Sequence, residues 1–244
     1  MGMKLLIGGK GGAGKSAVSV LLAKELSKKG NTILLDSDES NRLLPKTLGL
    51  ETPDTIANYL GGRAKVHQGI ADHEKINLNE LPPEYVSKTD EGITYAAVGK
   101  IEEYGEGCAC PYGFLSKELL KRIELTTDEY LIVDAEAGIE HLGRGVEEGI
   151  DKLIVVIDPT AEGVEIAKKL VSEAERIGKP IHLILNKVTP EVESVMLEKL
   201  ESEGLRADAL IRYDHEIFKS SLMGGLFNSR EASEDISSFI EANL

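Results

Sequence analysis

Gly9-Lys10-Gly11-Gly12-Ala13-Gly14-Lys15-Ser16 is the stretch whose reading decides the fold. It matches G-x-x-x-x-G-K-[ST], the phosphate-binding loop, and its flanks are the ones this motif requires. Before it, Met3 to Gly8 (MKLLIG) is a short apolar run of buried-strand type. After it, Lys15 to Lys29 has helical spacing, with Val18, Leu21, Leu22 and Leu26 on one side and Gly30 just past the end. Thr32 to Asp36 (TILLD) is the next strand. Strand, glycine turn, helix and strand make a βαβ unit with a right-handed crossover. The glycines let backbone N–H groups turn inward around phosphates, and the following helix adds the positive end of its dipole. Lys15 is expected to reach the β- and γ-phosphate oxygens, and the Ser16 hydroxyl to ligate Mg²⁺. A glycine-rich turn with a chance lysine is the alternative, but all eight positions match in the required context.

The pattern continues beyond this unit. Tyr130 to Asp134 (YLIVD), Lys152 to Asp158 (KLIVVID) and Ile181 to Lys187 (IHLILNK) are continuous apolar runs, as expected of parallel strands buried on both faces. Thr160 to Ile177 and Pro190 to Glu203 read as amphipathic helices, and Ala209 to Arg212 as a weaker strand. Residues 49–107 carry Pro53, Pro82, Pro83 and mixed short patterns, with Thr94 to Val98 as the one strand candidate. The expectation is an α/β fold, a mostly parallel central sheet flanked by helices, in one domain spanning 1–244.

Acidic residues outnumber basic ones 42 to 28, a formal net charge of −14. Such a surface repels phosphate backbones and anionic lipid, which argues against nucleic-acid and membrane partners. The apolar start is too short for a secretory signal, and the expected location is cytoplasmic. The two cysteines, Cys108 and Cys110, are one residue apart. In a reducing compartment two thiols this close suggest metal or redox chemistry. Pro111 suits the first turn of a helix read over Phe114 to Ile123, whose N-terminus favours thiolate. Burial as small hydrophobes and a geometrically tight disulfide are the other readings.

Carboxylates end two of the strands. Leu35-Asp36-Ser37-Asp38-Glu39-Ser40-Asn41 places acids on the ligand side of an open α/β sheet, and Ile132-Val133-Asp134 puts a Mg²⁺-holding aspartate after an apolar strand. Asn186-Lys187-Val188-Thr189 resembles the GTPase N-K-x-D run but has Thr189 where guanine recognition needs aspartate. Asn186 can still bond an adenine edge, so ATP is favoured over GTP.

The second lysine, Lys10, makes the loop resemble the deviant Walker A motif of the ATPase group that contains MinD, the partition ATPases and the nitrogenase iron protein. The resemblance implies a nucleotide-sandwich homodimer in which Lys10 crosses to the partner's nucleotide. It also implies that Asp38 orients the attacking water and that Asp36 supports the Mg²⁺ shell or the loop. The run Asp134-Ala135-Glu136-Ala137-Gly138-Ile139-Glu140-His141-Leu142-Gly143-Arg144-Gly145 resembles the second switch of the CooC-type ATPases, which help load nickel into carbon monoxide dehydrogenase. Relatives in partition and cell division usually carry proline where Glu136 stands. Arg212, in Ile211-Arg212-Tyr213-Asp214, departs from a proline that often lines the family's base pocket. In CooC-type proteins a C-x-C pair from each subunit binds metal at the dimer interface, so Cys108 and Cys110 are implied to share Ni²⁺, or Zn²⁺ in its place. The implied function is an ATP-hydrolysing metallochaperone using ATP/ADP and Mg²⁺, with Lys10, Lys15 and Asp38 catalytic, the loop with Asn186 and Lys187 holding nucleotide, and Ser16, Asp36 and Asp134 at Mg²⁺. Its implied client is a nickel enzyme such as carbon monoxide dehydrogenase/acetyl-CoA synthase. A positional ATPase is the alternative, but the acidic C-terminus (Glu234 to Leu244) gives no basic surface for DNA or lipid. A redox ATPase is the other; Ala137 stands where its second cluster cysteine would be.

Overall fold

The computed structural model describes residues 2–101, 110–136 and 146–244, with 146 and 147 as backbone alone. Cys108, His141 and the second-switch run after Glu136 lie outside the described residues.

The chain opens with β1 (Met3–Gly9), α1 (Lys15–Ser27) and β2 (Asn31–Asp36). Three short helices follow: α2 (Leu44–Thr47), α3 (Ile56–Tyr59) and α4 (Val66–Ala71). Then come β3 (Ser87–Lys88), β4 (Ile93–Ala97), α5 (Cys110–Arg122) and β5 (Glu129–Asp134). The second half alternates: β6 (Lys152–Ile157), α6 (Ala161–Ile177), β7 (Ile181–Val188), α7 (Pro190–Ser202), β8 (Ala209–Arg212), α8 (His215–Met223) and α9 (Arg230–Asn243).

The strands form one sheet in the order β3-β4-β2-β5-β1-β6-β7-β8. All neighbours run parallel except β3 against β4. The expected α/β architecture is therefore what the chain adopts. Successive strand residues feed opposite faces. Leu6, Ile33, Leu35, Val133 and Val155 join the core under α5 and α6, whereas Leu5, Ile7, Leu34, Ile132 and Val156 join the core under α1 and α9. Double-sided burial explains why these strands read as unbroken apolar runs rather than alternating ones.

The described part of residues 49–107 builds onto this same sheet. β4 lies beside β2, in register from Thr32↔Ile93 to Asp36↔Ala97. α3 and α4 are four and six residues long, too short to display helical periodicity. Helix α5 starts at Cys110, one turn earlier than the expected Phe114, and its buried face includes Leu115, Leu119 and Leu120. Thr160 is the N-cap of α6 rather than its first residue: its Oγ1 accepts from the Gly163 N–H.

Where β1 ends, the backbone of Gly9 lies against β6. Its φ is +138°, and a Cβ there would stand 2.3 Å from the carbonyl oxygen of Val156. Gly9→Ala is expected to lower the unfolding free energy by about 2 kcal/mol or more, the sum of backbone strain and clash. Urea denaturation checks this; a loss below about 0.5 kcal/mol would refute the close approach.

Candidate nucleotide site

The loop after β1 sits at the carboxyl edge of the sheet, where ligands of open α/β folds bind. Gly14 is the N-cap of α1 in the left-handed region (φ 98°), and among the described residues no side chain caps that helix and no acid sits in its first turn. The leading amides of α1 are thus left for an anion. A Cβ on Gly14 would stand 2.3 Å from Asn186 Nδ2, so this position also needs glycine for space.

Two adjoining cavities open here. One, of about 420 Å³, is lined by Gly11, Gly12, Lys15, Ser16, Asp38 and Glu136 among others. The other, of about 210 Å³, is largely apolar and lined by Leu21, Asn186, Arg212, Tyr213, Ile217 and Phe218 among others. Gly14, Ala17 and Ser221 border both. A polar chamber beside an apolar slot suits a triphosphate attached to a base.

The loop is braced from the far side. Asn186 Nδ2 donates to the Ala13 carbonyl (2.9 Å), and Lys187 Nζ donates to the Gly12 carbonyl (2.6 Å). Lys187 adopts φ 59°, which a non-glycine residue rarely does. Arg212 is turned toward α9, its Nη2 2.8 Å from Asp235 Oδ1, although it borders the apolar slot.

Lys15 is nearly buried, and its Nζ lies 3.4 Å from the Lys10 carbonyl. Burial lowers its pKa against the pull of Asp134 and Asp38. Lys10 is folded onto its own chain. Its Nζ lies 3.1 Å from Asp158 Oδ2, 3.2 Å from Thr160 Oγ1 and 3.2 Å from Glu162 Oε2. Those carboxylates, Asp158 first, hold its ammonium above the usual lysine range.

Asp36 and Asp134 stand opposite each other in the β2–β5 register, and both are buried. Their surroundings differ. Asp36 Oδ2 accepts from Tyr95 Oη (2.8 Å) and Lys100 Nζ (2.7 Å), and Oδ1 accepts from the Asp38 N–H (3.1 Å). Burial pushes its carboxyl up, opposed by Lys100 and Tyr95. Asp134 has hydroxyl partners: Ser16 Oγ donates to Oδ2 at 2.6 Å, and Ser19 Oγ lies 3.0 Å from Oδ1. Burial, with Asp36 nearby, pushes its pKa up to about 7. The Ser16 oxygen also accepts from Asn41 Nδ2 (3.2 Å). Asp38 Oδ1 accepts from the Ser40 N–H (2.9 Å) and Oγ (2.6 Å), which fixes its carboxylate at the cavity rim.

Lys100 and Asn41 were not singled out by the sequence reading. Lys100 sits three residues beyond β4, a strand whose place beside β2 no motif announces. Asn41 closes an acidic run in which carboxylates attract attention first.

The nucleotide-binding family model described as CobQ/CobB/MinD/ParA nucleotide binding domain matches residues 4–227. The chain belongs to that family. It is 43% identical to an uncharacterized ATP-binding protein of Methanocaldococcus jannaschii, over 95% of this chain and 96% of the relative. It is 30% identical to the carbon monoxide dehydrogenase accessory protein CooC of Rhodospirillum rubrum, over 78% of this chain and 76% of that one. Among solved structures, the septum site-determining protein MinD of Pyrococcus horikoshii, complexed with Mg-ADP, superposes with a TM-score of 0.71 at 17% identity, covering 99% of this chain and 96% of that one. Membership makes this chain an ATP-binding P-loop ATPase. Among the described residues no helix is long and apolar enough to cross a membrane.

The Asp36–Lys100 pair, with side-chain exposures of 0% and 8%, generates a stability prediction. Lys100→Met strands a buried carboxylate and is expected to cost about 3–5 kcal/mol. Adding Asp36→Asn should recover most of that loss in a denaturation cycle. Additive losses would show that the pair is not energetically coupled.

Proposed function

We propose that this chain is a CooC-type ATPase that binds a metal ion as cargo between two copies of itself and delivers it to a nickel enzyme. The observation that carries this reading is Cys110 at the first residue of α5, in a chain with C-x-C spacing and 30% identity to CooC. Cys110 is exposed at that helix start, where the dipole favours thiolate. Among the described residues no cluster of three or more metal-ligating side chains occurs. One chain offers two cysteines, and a closed tetrahedral site takes four ligands. A twofold dimer that brings both C-x-C pairs to its axis supplies them, for Ni²⁺ or for Zn²⁺ in its place.

In the ATPase reaction the first-turn amides of α1 and the Lys15 ammonium balance the phosphate charge. Asp134 is buried with hydroxyl partners and, among the described residues, no salt bridge, and its raised pKa marks a site suited to a divalent ion. Ser16 and Asp134 would hold Mg²⁺ there, and the ion supplies charge neutralisation at the transferred phosphoryl group. Asp36 is already engaged by Lys100, Tyr95 and the Asp38 amide, so its role is to hold the loop rather than the metal. Asp38 orients the attacking water. Lys10 exchanges Asp158, Thr160 and Glu162 for the partner's nucleotide when the dimer closes.

Asn186 gives one N–H of its amide to the Ala13 carbonyl. Its second N–H and its oxygen remain to meet a base, and Thr189 stands where guanine recognition needs aspartate, which favours ATP. The acidic surface fits neither nucleic acid nor membrane as a partner, and the working compartment is cytoplasmic.

Three measurements test the reading. Lys15→Ala should lower ATP turnover about 10²-fold or more; wild-type turnover would remove the phosphate-loop assignment. Cys108→Ser with Cys110→Ser should bring bound Ni²⁺ or Zn²⁺ to near zero while nucleotide affinity holds, and unchanged metal content would exclude the thiolate site. Competition binding should favour ATP over GTP by about tenfold or more; equal affinity would contradict the adenine preference drawn from Thr189.

A further inference from the structure

The helix that begins with Cys110 is bonded to the loop that carries Asp38. Ser37 and Ser116 share a hydroxyl–hydroxyl hydrogen bond of 2.7 Å, and both are buried. Tyr112 Oη donates to the Lys100 carbonyl (3.3 Å), and its ring covers Gly99 so closely that a Cβ there would stand 2.4 Å from it. Lys100 in turn spans the loop: its Nζ reaches Asp36 Oδ2 (2.7 Å) and the Asp38 carbonyl (2.5 Å). The next residue, Ile101, donates its N–H to the Glu39 carbonyl (3.2 Å). The same loop ends at Asn41, which donates to the Ser16 hydroxyl.

One buried contact, Ser37–Ser116, thus joins α5 directly to residues 36–41, a second, part-buried one from Tyr112 reaches them through Lys100, and the far end of that loop touches the phosphate loop. Buried hydrogen bonds between rigid elements favour discrete arrangements over smooth deformation. A cation drawn to the Ser16 oxygen competes with the Asn41 amide for its lone pairs. Asn41 closes the loop that Lys100 spans, so the two ends of this network share one set of contacts.

We propose that Ser116, Tyr112 and Lys100 are positioning residues that link the occupancy of the nucleotide site to the setting of the α5 N-terminus, and so to the reactivity of Cys110. The inference rests on the metallochaperone reading for its purpose, but not for its test.

The experiment uses the full chain with Cys108→Ala, so that Cys110 is the single thiol, with Mg²⁺ present and a chelator selective for transition metals added. The alkylation rate of Cys110 by N-ethylmaleimide is measured with ADP and with a non-hydrolysable ATP analogue. The expected ratio of the two rates departs from one by about fivefold or more. Ser116→Ala together with Tyr112→Phe, neither of which lines the nucleotide cavities, should bring the ratio close to one while analogue affinity is unchanged. Each single substitution should give an intermediate ratio, which keeps the test open if the double variant fails to fold. Two results overturn the proposal: a ratio that survives both substitutions, as burial of the thiol by dimer formation alone would give, or no ratio in the reference chain. Metal content of the unsubstituted protein scores the metallochaperone reading separately, because no transition metal is present in this assay.

Discussion

Two buried carboxylates on neighbouring strands set the terms for everything at this edge of the sheet. Asp36 and Asp134 face each other across β2 and β5, in a place where burial disfavours charge on either. They are treated differently. Asp36 receives a lysine, a tyrosine hydroxyl and a backbone amide, and becomes the post around which the Asp38 loop is wound. Asp134 receives serine hydroxyls and remains electrostatically unfinished. That inequality sets them apart: Asp36 is answered by a lysine of the same chain, and Asp134, among the described residues, by hydroxyls.

The cations near the site likewise have partners within the chain. Lys15 lies over its own loop, and Lys10 is clasped by Asp158 and Glu162. Lys187 and Asn186 grip the loop from behind, through the Gly12 and Ala13 carbonyls, and hold its backbone in shape. Preorganised donors act on developing charge without reorganisation, which is where electrostatic catalysis draws its strength. Lys10 is the exception, because its present partners are carboxylates of its own chain. Moving it requires competing charge, and a second nucleotide-bearing subunit is the source that the proposed dimer provides.

Much of this was legible in the residues. The loop of residues 9–16, the strands at Tyr130, Lys152 and Ile181, and the acids at Asp36 and Asp134 could be read because each has a fixed local signature: glycine spacing, unbroken apolar runs, a carboxylate at a strand end. What escaped has no such signature. The strand candidate at Thr94 to Val98 is β4, but its place beside β2, some sixty positions earlier, was not legible, and α3 and α4 are too short to show a period. Lys100 matters because of a three-dimensional neighbour, Asp36, and the Ser37–Ser116 bond joins residues whose small hydroxyls announce nothing in sequence. Helix α5 begins at Cys110, one turn before the expected Phe114, which agrees with Pro111 as a first-turn residue.

The central claim is that ATP and a shared thiolate ion hold two copies of this chain together. Native mass spectrometry of the full chain, with a non-hydrolysable ATP analogue and Ni²⁺ or Zn²⁺, measures this directly. The account predicts a dimer carrying two nucleotides and a single ion held by both chains. A monomer that retains nucleotide under the same conditions, or one ion bound per separate chain, would contradict it.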